Sequence, residues 1–197
     1  MRTRALRRIL PAALIVGLTC PAIAQEHVSA DEGTRVIWRT IVGIVVPESI
    51  GRRAPPPTGG CDIGVTCAVG APAPWTATGG HAEVNLGNGN LTFNVRGLVV
   101  ADDFNLVNIG TPTVVTKVKG TLICNDTEPG FAELVDTEAV RLNAAGDAAF
   151  SGHGYLPASC TAEPEDILFV IRIADVSAFE ELTDAWNAFG AARVIRR

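Results

Sequence analysis

Short segments rich in β-branched and aromatic residues recur along this chain and are separated by turns of glycine and asparagine. The clearest pair is 81–86 and 91–100, joined by the turn 87–90, which reads Gly-Asn-Gly-Asn. Both residue types tolerate the positive φ that tight hairpins require. In the second segment, Leu91, Phe93 and Val95 alternate with polar residues, which is the period of a strand with one buried face. The pattern predicts a β-hairpin.

The same criteria predict further strands at 35–46, 113–124, 131–142, 147–156 and 167–173. Segment 131–142 is one strand or two short ones, Gly120 is a candidate bulge, and 167–173 is apolar throughout, as in a central buried strand. Short strands at a spacing of about ten residues are typical of all-β folds. We therefore predict an antiparallel sandwich or barrel of about seven to nine short strands.

The C-terminal part differs, because four large apolar residues recur there at helical spacing: Phe179, Leu182, Trp186 and Phe189. Residues three and four apart share one face of a helix. Ser177 and Glu180 fit a capping box, and Gly190 is a suitable helix end. These features predict one short C-terminal helix packed on the sheet, with 191–195 as a candidate last strand.

The N-terminus has the order of a secretory signal peptide. Four arginines in the first eight residues precede an apolar run, 9–19, and then Ala22-Ile23-Ala24. This order predicts a signal peptide over 1–24, removed after Ala24. The apolar run is about half of the roughly 20 residues that span a membrane, so we expect no transmembrane segment after cleavage. The predicted location is secreted or periplasmic.

The predicted mature chain has a mobile N-terminal tail, 25–34, and a single disulfide-bonded β-domain, 35–197. Two proline-rich stretches, near 51–60 and 71–75, are predicted to be extended connectors within that domain.

The charge balance excludes one class of partner. The chain has 16 basic and 21 acidic residues, and four of the arginines lie in the predicted signal peptide. Lys117 and Lys119 are the only lysines, and no basic cluster compensates. Because nucleic-acid binding needs a positive surface, we expect no nucleic-acid partner.

The cysteines predict a disulfide framework. Of five cysteines, Cys20 lies in the predicted signal peptide, which leaves Cys61, Cys67, Cys124 and Cys160. An even number in an exported chain predicts two disulfides, for which three pairings exist. We favour Cys61–Cys67, which closes a short loop, and therefore Cys124–Cys160. A zinc site is the alternative, but only the first pair approaches the usual ligand spacing.

His27 is the candidate metal ligand. After cleavage it is the third residue of Gln25-Glu26-His27. A free amino terminus, two deprotonated amides and this imidazole can surround Cu(II) or Ni(II) in a square plane. Cyclisation of Gln25 would block the amine and abolish the site. The alternative is a solvated histidine on a mobile tail.

The sequence contains only weak indications of catalytic residues. His81 opens a predicted strand, and His153 lies two residues after Ser151, where no fixed nucleophile–base pair is expected. The chain has no Gly-x-Ser-x-Gly motif. Trp75 is the one candidate for an exposed stacking platform. Acidic groups that could serve a glycoside hydrolase occur at 102–103, 163–166 and 180–181.

From these observations we predict a non-enzymatic extracytoplasmic domain that binds a protein or small-molecule partner or has a role in the cell envelope, and that needs no cofactor. One alternative is a secreted or periplasmic hydrolase whose residues converge only in the fold. Another is Cu(II) or Ni(II) binding through His27.

Overall fold

The computed structural model of the protein describes residues 33–44, 73–101, 108–124, 133–178 and 185–197. Within these ranges the chain forms eleven strands: β1 (Arg35–Gly43), β2 (Trp75–Thr76), β3 (Gly79–Asn85), β4 (Asn90–Arg96), β5 (Val99–Val100), β6 (Val115–Cys124), β7 (Glu133–Asp136), β8 (Val140–Arg141), β9 (Ala148–His153), β10 (Leu168–Val176) and β11 (Trp186–Arg196). A helix, α1 (Ala158–Ala162), and a 3-10 turn, Pro164–Asp166, lie between β9 and β10. The fold is all-β, as predicted.

Nine of these strands form one antiparallel sheet. Its order is β7-β6-β10-β11-β1-β3-β4-β9, and β8 pairs with β6 beside β7. Strands β2 and β5 form a small second sheet. The first and last described strands, β1 and β11, pair with each other along most of their length in the middle of the large sheet. The two ends of the described chain are therefore held in the centre of the fold.

Ring contacts between distant strands show that the sheet curls into a barrel. Phe93 in β4 and Phe169 in β10 have ring centroids 5.7 Å apart, although β11, β1 and β3 separate their strands in the sheet. Trp38 in β1 lies 5.6 Å from Phe169, and Phe150 in β9 lies 6.0 Å from Phe93. The interior at this level is filled by aromatic side chains, as in small barrels.

Several glycines face these rings, among them Gly120 and Gly190. A Cβ on Gly120 would lie 2.8 Å from the Phe93 ring and 2.9 Å from the Phe169 ring, and a Cβ on Gly190 would lie 2.6 Å from Cγ of Trp38. The rings occupy the volume that side chains at these positions would need. Small residues opposite large ones are how a narrow barrel interior is packed.

The prediction that Gly120 marks a bulge is wrong. Gly120 pairs with Ile171 in regular register, and the irregularities between β6 and β10 lie further along, between Ile173 and Val176. The glycine is needed for space inside the barrel and not for a bend in the strand.

Several predicted elements are confirmed. The hairpin is formed by β3 and β4, and in its turn the side-chain oxygen of Asn85 accepts hydrogen bonds from the N–H groups of Gly87 and Asn88. Segment 131–142 contains two short strands, β7 and β8. The predicted buried strand is β10, which lies between β6 and β11 and is buried over its first six residues.

The predicted helix at the C-terminus is wrong from Trp186 onward. Trp186–Arg196 is strand β11, and α1, the helix in the described ranges, lies earlier in the chain. Strand β11 pairs with β1 on one side and with β10 on the other, so hydrogen bonds with distant strands outweigh the local helical spacing. Phe179, Leu182 and Glu180 lie outside the described residues, and Ser177 directly follows β10.

Some predictions concern parts of the chain outside the described residues: the signal peptide, most of the tail 25–34, the connector 51–60, and residues 71–72 of the second connector. Within the second connector, Trp75 already belongs to β2. In the part of the chain that the structure describes, no helix is both long and apolar enough to cross a membrane.

Candidate functional site

The barrel is open between β7 and β9, which are the two ends of the sheet order. Residues of β7, the following Thr137 and Glu138, and residues of β9 through Gly154 line one cleft of about 200 Å³. We call this cleft the seam. Near the opposite end of β9, β8 contacts β9, so the barrel is closer to closure there. The seam is smaller than the roughly 300–1,000 Å³ of typical small-molecule pockets.

Backbone groups of both strands point into the seam. Directly after β9, the Gly154 N–H donates to the Gly89 carbonyl in the β3–β4 turn at 3.0 Å. Since alternate residues of an antiparallel strand direct their N–H and C=O groups to the same neighbour, Gly152 also faces β4. The N–H and C=O groups of Ala149, Ser151 and His153 therefore face the seam.

The same reasoning applies to β7. The Thr137 N–H donates to the Gly120 carbonyl in β6 at 2.8 Å, so Val135 also faces β6. Leu134 and Asp136 direct their backbone groups into the seam. Within the described residues β7 pairs with β6 (which also pairs with β10 and β8), and β9 pairs with β4. Neither seam-facing edge has a strand partner there.

The side chains around the seam divide into an apolar group and a polar group. The apolar group consists of Leu91, Val135, Phe150 and Leu156, all packed against the main core. The polar group includes Glu138, Ser151 and His153. His153 shares a hydrogen bond of 3.3 Å with the Asn90 side chain. The Glu138 carboxylate has no hydrogen-bond or ion-pair partner in the described part of the chain.

Beside the seam, Asp136 is the centre of a charged cluster on the outer face. Its carboxylate is 2.6 Å from Lys119 Nζ and 3.2 Å from Arg172 Nη1, and it accepts a hydrogen bond of 2.6 Å from the Thr121 hydroxyl. Partial burial acts to raise the pKa of Asp136, but the hydrogen bonds from Lys119 and Thr121 and the charges of Arg172 and Lys119 outweigh it and lower that pKa below its usual value. Asp136 is therefore an ion-pair centre and a poor proton donor.

A second concavity, the polar groove, lies on the outside of the barrel. Its polar lining residues are His81, Asn94, Arg96, Arg141, Asn143 and Asp147, and Ala148 and Ala149 of β9 lie between them. The Asn94 amide nitrogen lies 3.0 Å from Nδ1 of His81. The groove is open to solvent and brings residues of β3, β4, β8 and β9 together.

Of the five predicted site residues, the structure places two. Cys124, at the end of β6, and Cys160, in α1, form the expected disulfide, with Cα atoms 4.8 Å apart. Cys61, Cys67 and His27 lie outside the described residues, so their pairing and metal binding stay predictions. Among the described residues, no group of three His, Cys, Asp or Glu side chains is arranged to hold a metal ion.

The candidates for catalysis lie apart. His81 is in the polar groove and His153 is at the seam, and each hydrogen-bonds an asparagine. Glu165 pairs with Arg197 at 2.7 Å, while the acidic groups at 102–103 and 180–181 lie outside the described residues. Trp75 is 3% exposed, so the prediction of a stacking platform there is wrong.

Sequence reasoning missed both the seam and the polar groove. The residues of each come from strands that are distant in sequence, and only the strand order brings them together. One signal was available: Ser151, Gly152, His153 and Gly154 combine small and polar residues at a predicted strand end, a composition that suits an accessible edge.

Comparisons of the chain with protein-family models, with curated proteins and with solved structures found no match.

Proposed function

We propose that this protein is an exported, non-enzymatic binding domain that captures an extended segment of another polypeptide at the seam. The observation that carries the proposal is the pair of strand edges, β7 and β9, which face one cleft without a strand partner among the described residues. Adding a strand to an exposed edge is a recurrent mode of peptide recognition, in which main-chain hydrogen bonds supply affinity.

The side chains of the seam favour a particular kind of peptide. Successive side chains of an extended peptide point to opposite sides. One set would meet the apolar group around Val135 and Phe150, and the other would meet the polar group that includes Glu138. Since the Glu138 carboxylate has no partner among the described residues, the preferred peptide alternates apolar and basic residues.

Binding by the seam is tested with a labelled peptide that alternates lysine and valine over six residues, measured by fluorescence anisotropy. We expect saturable binding, and we expect the same peptide with N-methyl groups on alternate amides to bind at least about tenfold more weakly. N-methylation removes the N–H donors on one edge but leaves the side chains intact. Equal binding of the two peptides would contradict strand addition.

A pair of variants tests the same point on the protein. Ser151→Pro removes the N–H that faces the seam, at an edge position where proline does not interrupt the pairing with β4. Ser151→Ala keeps that N–H and is the matched control. We expect S151P to lose peptide binding and S151A to retain it. If S151P folds, as judged by circular dichroism, and binds as the wild type does, the seam is not the site.

The proposed export rests on the N-terminal pattern and is supported by the Cys124–Cys160 disulfide, since disulfides persist mainly in oxidising compartments. The intact mass of the protein recovered from a secreting host tests this. We expect residues 25–197 with both predicted disulfides formed. An uncleaved chain with free thiols would exclude export, and a lipid on Cys20 would instead indicate an anchored envelope protein.

A further inference from the structure

The polar groove contains two arginines whose charge is not neutralised by any of the described residues. The chain is acidic overall, with a formal net charge of −5. Five of the ten lysines and arginines in the described residues pair with carboxylates: Arg35 with Glu83, Lys117 with Asp175, Lys119 and Arg172 with Asp136, and Arg197 with Glu165. Arg96 and Arg141 both line the groove, and neither side chain has a hydrogen bond or ion pair in the described part of the chain. Unneutralised guanidinium groups in one concavity are a source of anion affinity.

Among the described residues that line the groove, Asp147 is the one with a carboxylate, and both of its oxygens accept hydrogen bonds from other groups. Oδ1 of Asp147 accepts a hydrogen bond from the Gly97 N–H at 3.0 Å, and Oδ2 accepts one from the Asn143 side chain at 3.3 Å. Asn143 in turn accepts hydrogen bonds from the N–H groups of Ala145 and Asp147, which fixes the turn. Asp147 therefore holds the β8–β9 turn against Gly97 and does not pair with the arginines.

The rest of the groove provides room and further hydrogen-bonding groups. Ala148 and Ala149 are small, so the space between Arg96 and Arg141 is not filled from β9. Nη2 of Arg96 lies 3.5 Å from the position of a Cβ on Gly79, so the guanidinium lies over a glycine of the paired strand. The Asn94 amide and the His81 ring, hydrogen-bonded to each other, form the adjacent wall.

We propose that the polar groove is a binding site for an oxyanion, a carboxylate or a phosphate, held by the guanidinium groups of Arg96 and Arg141 with Asn94 as an additional hydrogen-bonding group. Guanidinium matches both anions because it presents several N–H donors in one plane. This site is separate from the seam, so the proposal does not depend on peptide binding there.

Isothermal titration of the full mature chain with inorganic phosphate, and separately with citrate, tests the site at constant ionic strength. We expect saturable binding of at least one anion, which weakens as salt is raised because the site is open to solvent. Preference for phosphate would identify a phosphoryl ligand, and preference for citrate a carboxylate ligand. Absence of saturable binding for both anions would overturn the proposal.

Substitutions of the two arginines test whether the anion binds in the polar groove. We expect Arg96→Gln and Arg141→Gln each to weaken binding roughly tenfold, as loss of a charge-assisted hydrogen bond predicts, and the double variant to abolish it. Arg196→Gln is the matched control, because Arg196 is an exposed arginine that is not among the residues lining the groove. It lies at the end of β11, where its backbone is opposite Arg35 at the start of β1. An equal loss in R196Q would show non-specific attraction and overturn the assignment.

A conservative variant separates hydrogen-bond geometry from charge. Arg141→Lys keeps the charge but replaces the planar guanidinium with a single ammonium group. We expect binding between that of the wild type and that of R141Q. If R141K and R141Q bind equally well and as tightly as the wild type, Arg141 is not part of the site.

Discussion

At the scale of single residues, the interior of the barrel depends on Gly120, because two aromatic rings occupy the volume that a side chain would need. We expect Gly120→Ala to lower the free energy of unfolding by about 1–3 kcal/mol, the usual cost of overpacking a filled core. Urea denaturation measures the change. Gly154→Ala is the control, since a Cβ there would meet nothing within 4 Å. Equal stability of G120A and the wild type would contradict the packing described for Phe93 and Phe169.

Asp136 makes stability depend on pH. Its pKa is lowered in the folded protein, so its ion pairs stabilise the fold above the pKa of the unfolded state, about 3.9, and this contribution is lost as pH falls through the folded pKa. We expect Asp136→Asn to destabilise the protein at pH 7 and to have little effect near pH 2, as measured by urea denaturation at both values. Glu138→Gln, on a carboxylate that has no partner in the part of the chain that the structure describes, should show no such difference. A D136N effect that is independent of pH would contradict the role of charge.

The burial of individual residues could be predicted from the local sequence pattern in some cases and not in others. The alternation of Leu91, Phe93 and Val95 predicted a buried face, and all three are buried, because a strand's own period determines which side chains share a face. Trp75 was predicted to be exposed and is buried. Its surroundings depend on pairing with Val100, a contact that no local pattern encodes.

At the scale of elements, the strands with strong turn signals were predictable and the C-terminal element was not. The spacing of Trp186 and Phe189 suits a helix. In the structure, an irregularity between Ile171 and Arg172 of β10 changes the register against β11, and Trp186 and Phe189 pack in one apolar cluster with Ile123 and Val170. A register irregularity can therefore place residues three apart on the same face of a strand, which imitates the period of a helix.

The Cys124–Cys160 disulfide ties α1 to the end of β6. The Ser159 hydroxyl also donates to the Glu133 carboxylate in β7, and Glu133 pairs with Cys124. The two cysteines are 36 positions apart in sequence, so the chain-entropy treatment predicts a loss of about 3–4 kcal/mol when both are replaced by alanine. Urea denaturation of C124A/C160A measures this loss.

The matched comparison for that disulfide is C61A/C67A, which would open the predicted short loop. Because the stabilisation grows with loop length, we expect a smaller loss from this second pair. A larger loss from C61A/C67A would show that the short loop contributes more than its length predicts, and would reverse the expected order of the two disulfides.

At the scale of the whole molecule, strand order decides where candidate sites lie. The sequence predicted the fold class and most strands, but strand order depends on contacts between distant segments, such as β1 with β11 and β4 with β9. Both concavities follow from that order. The seam exists because β7 and β9 are the ends of the sheet, and the polar groove exists because β8 and β9 bring Arg141 near Arg96.

An open seam predicts a specific pattern of amide hydrogen exchange. In β9, the N–H groups of Ala149, Ser151 and His153 face the seam, whereas those of Phe150 and Gly152 face β4. We therefore expect exchange rates to alternate along β9, fast at Ser151 and slow at Gly152, because only the second amide is protected by a hydrogen bond within the sheet.

The internal control for this measurement is β10, which pairs with β6 on one side and with β11 on the other. Val170 and Ile171 are paired with both neighbouring strands, so we expect slow exchange at both of these consecutive amides, without alternation. Two-dimensional NMR after transfer to heavy water resolves individual amides. Slow exchange at Ser151 comparable with Gly152 would mean that the seam-facing edge of β9 is hydrogen-bonded in solution, and strand addition by a peptide would then require that edge to open first. Fast exchange at Ser151 that slows when the lysine–valine peptide is added would place the peptide on the β9 edge directly.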